Sequence, residues 1–190
     1  MENWTIVKWA EAVQIAGLMG VPETDLPAAG TTPQAWFADI RGAGRLENAT
    51  AIIGHALPRF EAVVWAAHTL DTLSRSAPLR IRDRQALDHA LRWVGEPNDG
   101  RRRACQQAAE AAGGSSAEAM LGHAVFFSGG SISMPELEPV QPHPGLAGRL
   151  ASSAVIIAAH RSGQAAAVFT AALDTGEQIA ARGLGALPPI

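Results

Sequence analysis

The chain contains no tyrosine, one cysteine and one lysine, and it has no long apolar run. The lone Cys105 permits no internal disulfide, in keeping with a reducing compartment. The longest apolar candidate, Ala154–Ala159, is far shorter than the roughly 20 residues that a membrane-spanning helix needs, so no membrane partner is expected. The amino terminus, MENWTIVKWAEAV, opens with an acid and carries neither a basic n-region nor a small-residue cleavage site, which makes cytoplasmic residence the default expectation. Runs of β-branched residues are scarce, and much of the 47% hydrophobic content is alanine; both favour helices over strands.

At 190 residues, one domain spanning 1–190 is expected. The stretch Leu57–Ser74, LPRFEAVVWAAHTLDTLS, is the strongest helical signal. Phe60, Val63, Val64, Ala67 and Leu70 recur at helical spacing, Trp65 widens that face, and Pro58 suits a first turn. Around this central helix the pattern predicts others at about 5–18, 33–42, 46–56, 81–94, 101–114, 117–130, 146–161 and 164–182. Thr32, Asn98 or Asp99, and Ser115 or Ser116 are the expected N-caps, and Gly129 and Gly130 are expected to end the helix from 117 in a left-handed turn. The reading is all-α: an irregular bundle of about eight short helices with one proline-rich loop, 131–145, and a tail, 183–190, loosely fixed at its end. A helix-pair solenoid is the nearest alternative, but no fixed period supports it.

No catalytic motif is present, and no cofactor is implied. The histidines, at 55, 68, 89, 123, 143 and 160, never fall at the spacing that lets two ring nitrogens share a zinc ion, so no metal site is expected. His68 and His123 read as core or rim residues. Cys105 sits in an alanine-rich helix as a small packing residue, since a reactive thiol needs a neighbour that lowers its pKa. The glycines of FFSGGSIS lack the lysine and the strand-to-helix setting of a phosphate loop.

Charge is unevenly placed. Residues 75–103 carry eight arginines against four acids, within a chain whose formal net charge is -3. Arg80, Arg82, Arg84 and the run Arg101, Arg102, Arg103 are a candidate anion or nucleic-acid face. The run stands at a helix start, where cations oppose the helix dipole. The aromatics of a single-strand binder are missing apart from Trp93, so nucleic acid is an unlikely partner and a solvated or acid-paired face is the plainer reading. In the loop SISMPELEPVQPHPG, Ile132, Met134, Leu137 and Val140, with Leu146 just beyond, are spaced through the prolines. They are expected to pin an ordered segment across the helices, either to dock a protein partner or to cover a core edge.

Two segments, ALPRFEAVVWAAH (56–68) and FFSGGSISMPELEPVQPHPGLAGRLASSAVIIAA (126–159), resemble an uncharacterised family of small bacterial helical proteins. Its members carry an LPxxEAVxWA helix and a WSGGSLxPPxLPPVPPPPxL loop. The matching positions are Leu57, Pro58, Glu61, Ala62, Val63, Trp65 and Ala66, then Ser128, Gly129, Gly130, Ser131, Pro135, Leu137, Pro139, Val140, Pro142, Pro144 and Leu146. Phe127 stands where the family has tryptophan, and Glu138 and His143 interrupt its prolines. The resemblance implies a non-enzymatic accessory protein, an adaptor or chaperone-like module of a bacterial type VI secretion system, whose partner is a secretion component or effector.

Overall fold

A computed structural model describes residues 2–134 and 136–187; Pro135 and the end of the expected tail, 188–190, lie outside the described residues. Among the described residues the protein is all-helical, with nine α-helices and no strand: α1 (Ala12–Met19), α2 (Pro33–Gly42), α3 (Leu46–Ala56), α4 (Arg59–Ser74), α5 (Ile81–Gly95), α6 (Asp99–Ala112), α7 (Ala117–Phe126), α8 (Leu146–Arg161) and α9 (Ala165–Arg182). None is long and apolar enough to cross a membrane.

Local chemistry sets three of the helix starts. Thr32 Oγ1 accepts from Ala35 N with Pro33 at the first position of α2, Asn98 Oδ1 accepts from Arg101 N, and Ser116 Oγ accepts from Ala119 N. Each takes up one of the N–H groups that a helix start leaves without a carbonyl.

The first helix is shorter than its apolar pattern predicts. It begins at Ala12, where Gln14 Oε1 accepts from the N–H groups of Ala10 and Glu11. The segment before it is an irregular strap with a bend at Thr5 and Ile6. Thr5 N and Ile6 N both donate to Ala180 O, at 2.9 and 3.2 Å, and Trp9 Nε1 donates to His55 O at 3.0 Å. β-branched Thr5, Ile6 and Val7 are weak helix formers, and α9 offers the first two a carbonyl that no local pattern reveals.

α4 and α8 form the middle of the bundle. α4 touches α3, α5, α7, α8 and α9, while α8 touches α3, α4, α7 and α9. Ala62 to Ala67 are all buried, so α4 is enclosed on every side over this stretch rather than along one face. Trp65 is wholly buried, with Nε1 donating to Ala172 O at 2.7 Å. α8 lies close to its neighbours because its inward residues are small: Ala147, Gly148, Ala151, Ser152, Ala154, Ala158 and Ala159. Where it crosses α3, backbone meets backbone: a methyl group on Gly54 would lie 2.6 Å from Gly148 O. α6 packs in the same way. Its alanines meet Ala86 and Ala119, and a methyl on Gly122 would lie 2.9 Å from Cys105 O.

α7 stops at Phe126, before the glycines expected to end it. Ser128 N and Oγ both turn back to Val125 O, and only Gly130 of the pair is left-handed, with φ of 68°. Gly130 is needed there for space as well, since a methyl group would lie 3.1 Å from Arg102 Nη2.

Candidate functional site

The loop leaving α7 folds back on itself as a small lobe. Ile132 N donates to Val140 O at 2.9 Å, Val140 N to Ser131 Oγ at 3.1 Å, and Ser133 Oγ to Glu138 O at 2.7 Å, so both sides of the loop are tied together. Two guanidinium groups from the first turn of α6 hold its base. Arg102, 4% exposed, donates Nη1 to Phe126 O at 2.7 Å and Nη2 to Ser131 O at 2.8 Å, and its Cζ lies 4.8 Å from the Phe126 ring centroid. Arg103 Nη2 donates to Ser131 O and Ser133 O. Asp99 accepts from both arginines, and their hydrogen bonds hold its carboxyl below the usual range.

The lobe is therefore pinned by polar groups, and the expectation that apolar anchors hold it across the helices is corrected. Ile132 and Leu146 are half-buried, but Met134, Leu137 and Val140 are 69%, 61% and 50% exposed. The physical reason is that a proline-rich loop has few N–H groups with which to pair its own carbonyl groups, so carbonyls at its base turn to arginine donors. Replacing Arg102 by alanine should leave Phe126 O without its charged donor and Ser131 O with Arg103 alone, and cost about 2 kcal/mol. Amide exchange at Ile132 and Val140 should quicken at least tenfold; unchanged exchange would show that the lobe holds its shape without Arg102.

The six arginines do not make one basic face, which corrects the second expectation. Arg80 Nε pairs with Asp83 at 2.6 Å and its Nη2 reaches Ala112 O at 3.5 Å; Arg82 Nη1 donates to Ala111 O at 3.1 Å. Arg84 donates to Ser74 O and Oγ, each at 3.2 Å, and Arg101 donates to Arg92 O at 2.8 Å while pairing with Glu96. Except for Arg103, each arginine reaches a carbonyl at the carboxyl end of a helix other than its own: α6 for Arg80 and Arg82, α4 for Arg84, α5 for Arg101 and α7 for Arg102. Those ends carry unpaired carbonyls and partial negative charge, so a cation is stabilised there. α5 and α6 pack as an antiparallel pair, which puts Arg80 and Arg82 at one end and Arg101 to Arg103 at the other, about 20 Å away for helices of this length.

Of the remaining candidates, Cys105 is fully buried and its thiol is pushed up to about 12 by that burial, so it packs and does not attack. Among the described residues no group of three or more His, Cys, Asp and Glu side chains stands ready to hold a metal ion. His55 is buried; Nδ1 bonds Ala51 O at 2.8 Å, Nε2 has no partner, and burial is the chief cause that lowers its pKa. A histidine held neutral in the fold contributes stability that is whole above its unfolded value, near 6.5, and is lost as pH falls through the lower folded value. His123 shifts in the same direction, also by burial. The midpoint of urea unfolding should therefore drop between pH 7 and pH 5, and drop less in His55→Gln.

Sequence reasoning passed over the polar cluster at the far side of α7. Glu118 is fully buried and takes both Nη1 and Nη2 of Arg161, at 2.8 and 2.6 Å. Glu118 stands in the first turn of α7 and Arg161 in the last turn of α8, each at the dipole end that suits its sign. The only advance signal was a glutamate three residues after Ser115, where surface capping is the ordinary reading.

Fold and site together define an all-helical bundle that displays a braced, proline-rich surface loop. The chain belongs to DUF6931, a family of unknown function, whose model matches residues 36–180. An uncharacterised family was what the two segments implied, and both segments fall within the matched residues. Neither the curated proteins nor the solved structures contain a match to the chain.

Proposed function

We propose that the protein is a non-enzymatic adaptor or chaperone-like module that binds another protein through the lobe at residues 131–140. One observation carries this reading: Met134, Leu137 and Val140 are large apolar side chains turned to solvent on a backbone that Arg102 and Arg103 hold in place. Exposed apolar side chains on a held loop suit recognition, because a partner gains their burial without first having to order the loop. The resemblance of 57–66 and 128–146 to the bacterial helical family supports cytoplasmic service to a type VI secretion system, with a component or effector as the partner. No observation favours the arginines as a nucleic-acid surface, since each has a partner within the chain.

The double replacement Leu137→Ser with Val140→Ser should leave the helical circular dichroism unchanged while removing whatever the native protein retains on co-purification from its host. Retention at full strength by a folded double variant would refute the docking role. Loss of folding would show that the lobe is structural cover.

A further inference from the structure

A cleft lies at the opposite end of α7 from the lobe. The α4–α5 link, the start of α7 and the α8–α9 turn enclose a cleft of about 730 Å³, within the range that small-molecule sites occupy. Two arginines open on it. Arg161 is anchored through both Nη atoms on buried Glu118, and Arg80 through Nε and Nη2 on buried Asp83, at 2.6 and 3.0 Å. The charges are layered: the carboxylates lie inside, and the guanidinium groups, 41% and 70% exposed, stand outside.

What each arginine has left is directional. Arg161 keeps Nε and Arg80 keeps Nη1, neither of which bonds the described residues of the protein. The Glu118 hydrogen bond holds the pKa of Arg161 above its usual value against the cost of burial, with the charges of Glu118 and Asp83 adding to the rise, and Arg80 is near enough to oppose it. A ligand bringing one negative charge between the two cations would offset the part that Arg80 opposes. The rest of the wall combines hydrocarbon from Leu73, Pro78, Leu79, Ile157 and Val168 with the polar side chains of four serines and Gln164. No aromatic ring lines the cleft, so a nucleobase would find nothing to stack on. Both carboxylates already serve their own arginines, leaving little to receive a cation.

We propose that this cleft binds a small amphipathic acid, with its carboxylate between Arg80 and Arg161 and its hydrocarbon body along Leu79, Ile157 and Val168. Both guanidinium groups keep N–H donors that a carboxylate can take, and because Asp83 and Glu118 already balance their charge, a single negative charge suits the pair better than a phosphate dianion.

The test is calorimetric titration of the full chain with octanoate, octanol and octylammonium. Octanoate should bind at least tenfold more tightly than octanol, and octylammonium should not bind. Arg80→Gln should weaken octanoate at least tenfold and leave octanol unchanged. Val168→Glu, at a half-buried position of α9 on the cleft wall, should abolish octanoate binding by placing a carboxylate of the protein in the cleft, and it keeps the inference testable if Arg80→Gln unfolds. Equal binding of octanoate and octanol, octanoate binding that survives Val168→Glu, or no octanoate binding at all would overturn the assignment.

Discussion

Gly148→Ala is expected to destabilise the protein by about 3 kcal/mol, at the upper end of what overpacking an interior costs. The new methyl group would run into the carbonyl oxygen of Gly54, and its next neighbours, Gly54 C and His55 Cα, are backbone as well. A flexible side chain turns aside; a helix backbone cannot. α3 and α8 would have to separate, which loosens the core that both helices help to form. Gly54→Ala meets the same crossing from the other side, with Gly148 O at 2.6 Å and Ser152 Cβ at 2.9 Å, and should cost a comparable amount. Urea denaturation measures both. A midpoint within experimental error of the native protein would mean that the two helices are not in backbone contact.

Trp65→Ala should cost about 3–5 kcal/mol, the usual range for removing a large aromatic side chain and leaving the space behind it. The site has little means of collapsing. Trp65 is wholly buried, flanked on α4 by Ala62, Ala66 and Ala67, and set against α9 where Ala172 O takes its N–H. Gly176 marks how closely α9 is drawn in: a methyl there would lie 3.3 Å from Trp65 Nε1 and 2.6 Å from Ile53 Cγ2. Trp65→Phe separates the two contributions, since it keeps a ring but loses the hydrogen bond, and it should cost far less than the alanine. If Trp65→Ala left the denaturation midpoint where it was, the enclosed position of α4 would be wrong.

What could be read from the residues and what could not divide along one physical line. Thr32, Asn98 and Ser116 announce helix starts because a cap and the N–H groups it serves lie within three residues of each other. The core positions of α4 were legible because the spacing of Val63, Val64, Ala67 and Leu70 is also local. By contrast, Thr5 to Trp9 looked like the start of a helix, and only the carbonyls of Ala180 and His55 decide that they are not. The arginines misled for the same reason. Their carbonyl partners lie 9 to 32 residues away in sequence, and nothing near Arg82 or Arg101 foretells them. Glu118 and Arg161, 43 residues apart, left even less trace. The loop was half legible: its prolines showed that it would be irregular, and its exposed apolar residues were named, but the brace beneath them depends on α6 packing against α7.

The arginines that finish other helices also bear on how the protein comes apart. Arg84 of α5 completes α4, Arg82 of α5 completes α6, Arg101 of α6 completes α5, and Arg102 of α6 completes α7. A helix that peels away therefore bares its own last carbonyls and those of the helix it was serving. Fraying at one end is penalised at two places, which suppresses partial opening and favours all-or-none melting. Between residues 59 and 126 the chain has exchanged the independence of its helices for cooperativity.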